Sequence, residues 1–171
     1  MNFRRLGITH RNEKGMTLVE LLIAMAVTGI ILGSITVTLQ QVFAMNSRSL
    51  NHMTAVRQVQ SAGYWVSQDA LMAQTVNTEN LSGPQDIVQL TWTEWDGVPH
   101  DIVYSIDNNS RLKRTNGASE SIIASHIDPP PQTSCNITGG KLIFTVKATV
   151  GSGSTAGTET RVYEVTPRST K

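Results

Sequence analysis

The segment that most constrains this chain is Leu21 to Leu39, nineteen consecutive residues that carry no ionisable side chain and are mainly apolar. As a helix the segment rises roughly 28 Å, about the thickness of a bilayer's hydrocarbon core, so it can span a membrane. The uncharged stretch continues to Ser47, and between Gly15 and Ser47 the one ionisable residue is Glu20. A chain of 171 residues has room for one domain of ordinary size, and here a membrane-length helix is taken out of that allowance.

Charge divides the chain at the same place. Fourteen Lys and Arg against thirteen Asp and Glu give a formal +1, which points away from a strongly basic nucleic-acid surface and from an acidic tail. That balance is a sum of unlike parts. Within Met1 to Lys14, Arg4, Arg5, Arg11 and Lys14 stand against Glu13 alone, whereas the chain beyond Gly15 carries ten basic and twelve acidic side chains. Four basic residues ahead of the apolar run, against Arg48 and Arg57 behind it, favour a cytoplasmic N-terminus and an extracytoplasmic remainder. A conventional secretory signal needs a run of roughly 7 to 15 apolar residues with a small-residue cleavage site after it. Here the run is longer, and the formal match Ala24-Met25-Ala26 sits in its middle.

Anchoring alone does not account for Glu20. An acid inside hydrocarbon costs on the order of a few kcal/mol, and even near the membrane end it asks for a partner. Gly15-Met16-Thr17-Leu18-Val19-Glu20, preceded by a basic leader and followed by the apolar run, resembles the class III signal of type IV prepilins and type II secretion pseudopilins. The resemblance implies cleavage between Gly15 and Met16 by a membrane prepilin peptidase, which then N-methylates Met16. It implies that Glu20 neutralises the terminal amine of an adjacent subunit during filament assembly. The implied partners are other pilin or pseudopilin subunits, the prepilin peptidase/N-methyltransferase, an inner-membrane assembly platform and the lipid bilayer. Met16 stands where the family usually has Phe, and no proline interrupts the apolar helix, Val37 occupying the corresponding region.

Helical character is expected to continue past the membrane. No proline precedes Pro84, and Phe43, Leu50, Tyr64 and Leu71 recur at seven-residue intervals with Arg57 in the remaining place and Met53 and Met72 on the same side. This narrow stripe is expected to pack against the chain's own globular domain. Gly29-Ile-Ile-Leu-Gly33 matches the GxxxG pattern that lets membrane helices approach closely.

From Asp86 the pattern changes to period two with turn residues. Asp86 to Glu94, Asp101 to Ile106 and Ser110 to Thr115 read as an antiparallel meander joined at Asp96-Gly97 and Asp107-Asn-Asn. Lys141 to Val150 and Thr160 to Thr166 bracket the glycine- and serine-rich loop Gly151 to Gly157, and Pro129 to Pro131 form an extended connector between the two sheet parts. Five aromatics, Trp92, Trp95, Tyr104, Phe144 and Tyr163, serve this half, which resembles the globular half of minor pilins and pseudopilins of the J or W type. The expected fold class is therefore α+β: a leader over 1–15, a long helix over 16–76 spanning the membrane at about 21–39, and a β-rich domain over 86–171 on which helix residues 40–76 pack, as in a pilin fold.

Catalytic and cofactor chemistry has little support. Gly151 to Gly157 lacks the Lys of a phosphate-binding P-loop and is followed by a strand rather than a helix. His52, His100 and His126 have no metal-like spacing among themselves or with Cys135, a lone thiol read as a small buried apolar residue. Asp107-Asn-Asn falls short of a calcium loop and reads as a turn. No enzyme, cofactor or metal is expected. The reading is a minor pilin or pseudopilin subunit held first in the inner membrane and then drawn into a filament. A single-pass anchored binding protein that never polymerises, and a pilus-tip adhesin or DNA-uptake subunit, remain as alternatives.

Overall fold

The computed structural model describes residues 15–79, 81, 83 and 85–168. The basic leader residues Arg4, Arg5, Arg11 and Lys14 lie outside the described residues. The chain divides into two compact units, Met1–Val42 and Phe43–Lys171.

In the first unit the apolar run is helical. Helix α1, Leu18–Met72, begins here, and its most apolar window has a mean hydropathy of 2.3 with none of its residues buried. Length and composition make it able to cross a membrane. Four hydroxyls lie in or beside this run, and each is satisfied by the helix itself: Thr28 donates to Ala24 O, Ser34 to Ile30 O, Thr36 to Leu32 O and Thr38 to Ser34 O, at 2.7 to 2.9 Å. Bonding back to the carbonyl four residues earlier removes the cost these groups would otherwise carry in lipid.

The second unit packs Phe43–Met72 of α1 on two antiparallel sheets. One sheet is the meander β1 (Thr75–Asn77), β2 (Asp86–Thr93), β3 (Pro99–Ile106), β4 (Leu112–Asn116) and β5 (Ser119–Ala124), paired in chain order. The other is β6 (Ser134–Thr138), β7 (Lys141–Val150) and β8 (Gly157–Val165). The β2–β3 turn closes at Gly97, whose φ of 83° suits glycine, with Gly97 N–H donating to Glu94 O at 3.0 Å. Along β7, Leu142, Phe144, Val146, Ala148 and Val150 alternate inward without a break. They meet Val88, Leu90, Ile102 and Tyr104 from the first sheet in one core.

Several expectations change here. The helix stops at Met72 rather than near Val76, because Thr75–Asn77 is taken up as β1 against Gln89–Thr91. Three short strands, β1, β5 and β6, join those the alternation marks. The triple-proline connector does not stay extended: Gln132 N–H donates to Pro129 O at 3.2 Å and closes a turn, while Asp128 N–H bonds Lys147 O on β7. Trp95 belongs to no core, being 98% exposed beside the β2–β3 turn.

The larger correction concerns the helix face. Phe43, Leu50, Met53, Tyr64, Leu71 and Met72 are exposed, and the residues seated on the sheets are Ala55, Val59, Ala62, Gly63, Val66 and Ala70. At 3.6 residues per turn, Arg57 in the stripe and Val59 in the seat lie about 160° apart around the helix. The sheets supply the volume through Phe144, Tyr104 and Leu90, so the helix must bring small side chains to reach them. The closest approach is at Gly63, where an added Cβ would fall on the ring of Tyr163, whose hydroxyl donates to Val59 O at 3.3 Å.

Gly63→Ala should therefore lower the stability of the full chain in detergent by about 1–2 kcal/mol, the overpacking cost exceeding the gain in helix propensity. In a Tyr163→Ser background the same change should become stabilising, and thermal unfolding of the four variants reads the reversal of sign.

Candidate functional site

Gly15, Met16 and Thr17 precede the helix and are exposed, so the Gly15–Met16 peptide bond lies in non-helical chain. Among the described residues, no atom lies within 4 Å of where a Gly15 Cβ would stand, apart from its chain neighbours. Two residues on, the helix start is organised by Glu20. Its Oε2 accepts from Thr17 N–H and from the Thr17 hydroxyl, both at 3.1 Å, and Glu20 N–H donates back to Thr17 Oγ1 at 3.3 Å. This is a reciprocal capping box, in which a hydroxyl residue and an acid three places later satisfy amides that a helix start leaves free. It also sets a carboxylate at the positive end of the helix dipole. Sequence reasoning gave Glu20 a partner in another subunit and overlooked the one in its own chain, although Thr17-Leu-Val-Glu20 has the required spacing.

Behind this cap the apolar face is uninterrupted. Gly29 and Gly33 have open space where a Cβ would stand, so none of the described residues uses the close approach that they permit.

Residues 10–36 match the family model described as the prokaryotic N-terminal methylation motif. The chain carries a type IV pilin-like signal. The match takes in Gly15, Met16, Glu20 and most of the apolar run, and stops short of the globular unit. No curated protein and no solved structure matches the chain. A pilin-like signal on a single-pass apolar helix marks a membrane-anchored, pilin-like precursor and points to a structural subunit.

Polar groups elsewhere are engaged in holding the fold. Asp69, on the buried side of α1, accepts from the Tyr104 hydroxyl at 2.6 Å and from Arg114 Nε at 2.6 Å and Nη2 at 3.0 Å. Burial, followed by the bond to Asp69, pushes the Tyr104 pKa up, and the same carboxylate raises that of Arg114. Arg114 also lies over the Trp65 ring, 5.7 Å from its centroid. With both carboxylate oxygens bonded, this cluster ties the helix to β3 and β4 and leaves no group poised for proton transfer. Asp107 is likewise spent on its turn, accepting from Asn109 N–H, Arg111 N–H and Arg111 Nε at 2.8 to 2.9 Å. His52 and Cys135 lie on different elements, and among the described residues no group of three His, Cys, Asp or Glu side chains is placed to hold a metal.

Cys135 is 7% exposed on β6, and burial pushes its thiol pKa up to about 12. Almost no thiolate exists at neutral pH, and the thiolate is the reactive form. Iodoacetamide at pH 8 should leave Cys135 unmodified in the folded chain and label it fully in denaturant, as peptide mass spectrometry would show.

Proposed function

We propose that the chain is a minor pilin or pseudopilin, inserted with its N-terminus in the cytoplasm, cleaved between Gly15 and Met16, N-methylated on Met16 and assembled into a filament through α1. The observation that carries this reading is the pilin-like signal at residues 10–36, together with a Glu20 carboxylate at the start of an apolar helix. Removing the leader takes away Arg4, Arg5, Arg11 and Lys14 and creates a cationic terminus on Met16. That terminus is the partner that a carboxylate in lipid needs, since an unpaired buried charge is far costlier than a paired one. A neighbouring subunit's amine can take the free Glu20 Oε1 while Thr17 keeps Oε2.

The exposed stripe on α1 supports assembly by a second route. Phe43 is 68% and Tyr64 60% exposed, and Leu50, Met53 and Leu71 are also largely uncovered. A run of large apolar side chains along one helix face costs solubility unless another surface covers it. The helices of neighbouring subunits are that surface in this reading. The subunits, the prepilin peptidase and an inner-membrane assembly platform are the proposed partners, and the mature chain passes from the membrane into a periplasmic or cell-surface filament.

Glu20→Ala tests the reading. The mutant should be processed to the same mature length, yet its incorporation into sedimentable filaments should fall by about tenfold or more, the size expected for truncating one partner of a desolvated charge pair. Wild-type incorporation by Glu20→Ala would contradict the assembly role and favour a solitary anchor.

A further inference from the structure

A cleft of about 470 Å³ opens in the globular unit between the first turns of its helix and the loop that leads into β8. Arg48, Ser49 and His52 line it from the helix, Thr158 from the strand, and Met45 gives it an apolar end. We propose that this cleft binds a phosphate group.

Charge is the first reason. Arg111, Lys113, Arg114, Lys141, Lys147 and Arg161 each pair with a carboxylate, whereas Arg48 forms none of the ion pairs found among the described residues. No acidic residue lines the cleft. Arg48 and His52 are four residues apart and so stand on one helix face, a turn from each other, with the Ser49 hydroxyl beside them. A planar guanidinium fork beside hydroxyls is a donor set matched to phosphate oxygens, and a neutral imidazole whose Nδ1–H is engaged on Thr158 O presents Nε2 as an acceptor for a phosphate P–OH.

The second reason is that the cleft's far wall is held in place. Asn51 Nδ2 donates to Thr155 O at 2.8 Å, and His52 Nδ1 lies 3.1 Å from Thr158 O. A carbonyl only accepts, so Nδ1 carries the proton there and Nε2 is left without a partner among the described residues. Glycine makes this closure possible at two places. A Cβ on Gly157 would strike the His52 backbone, and one on Gly151 would strike the Asn51 amide. The helix and the loop are thus locked together around the cleft, and Arg48 is the cation at its mouth. The glycine-rich loop serves by packing closely on the helix, a role unlike that of a P-loop.

The same phosphate chemistry has two sources. Arg48 is the first basic residue after the apolar run, nine residues beyond Leu39, where a long basic side chain reaches the membrane interface and its lipid phosphates. A soluble phosphate ester would satisfy the same donors. The site does not depend on filament assembly, so its test stands apart from that of Glu20.

The full chain in dodecyl maltoside, titrated with inorganic phosphate and followed by phosphorus NMR, should show saturable binding. Arg48→Gln should weaken it about tenfold or more, as loss of a charge-assisted contact implies, while Arg57→Gln, on the exposed helix face, should leave it unchanged. Arg48→Lys should fall between, and thermal unfolding should confirm that all variants fold alike. Displacement of the phosphate by dispersed phosphatidylglycerol but not phosphatidylcholine supports the site with a lipid headgroup as its source. Displacement by glycerol 3-phosphate alone supports it with a soluble ester. Absence of saturable binding, or equal weakening by Arg48→Gln and Arg57→Gln, overturns the proposal.

Discussion

The seat of the helix on the two sheets governs how the rest of the globular unit is arranged. Phe144, Tyr104, Leu90 and Ile102 fill the interior from the sheet side, and the helix closes over them only because Ala55, Ala62, Gly63 and Ala70 bring its backbone close. Interiors pack to crystal-like density, so a large residue on either side excludes one opposite. Phe43, Leu50, Tyr64 and Leu71 are thereby left on the outer side of the helix. The internal packing and the outward apolar stripe are two consequences of one volume constraint. The Asp69 cluster sits at the same seam and fixes its register, because a carboxylate bonded to both Tyr104 and Arg114 accepts only one placement of the helix against β3 and β4.

The N-terminal unit answers to a different solvent. Its backbone and hydroxyls are satisfied within one helix, as hydrocarbon demands, and Glu20 is placed at the helix start, where dipole and capping both favour a negative charge. A pilin-like signal reads as a physical device in these terms. In the proposed reading the basic residues ahead of Gly15 orient insertion, the Gly15–Met16 bond stands in exposed, non-helical chain, and cleavage there would create the terminus that Glu20 meets.

What was legible in the sequence follows the range of the interactions involved. The apolar helix and the pilin-like signal were readable because hydropathy and charge are local properties of a run of residues. Strands β2, β3 and β7 announced themselves by alternation, since one face of each is buried and the other is not. β5 did not, because four of its six residues, Ser119 to Ile122, are exposed and no alternation develops. The helix face was misread for a reason that no single segment contains. Whether Val59 or Tyr64 points inward depends on how much volume the strands bring, and those strands lie up to a hundred residues away. Tyr163 on Gly63 and His52 against Gly157 are contacts of the same kind, which periodicity within the helix cannot show.

The proposed function stands on processing of the bond between Gly15 and Met16. Mass spectrometry of the chain isolated from membranes of a prokaryotic host carrying a prepilin peptidase tests it most directly. Processing at that bond gives a mature chain that has lost fifteen residues and begins at Met16 with a methylated amine. A chain that begins at Met1, or one cleaved beyond Ala44, would contradict it.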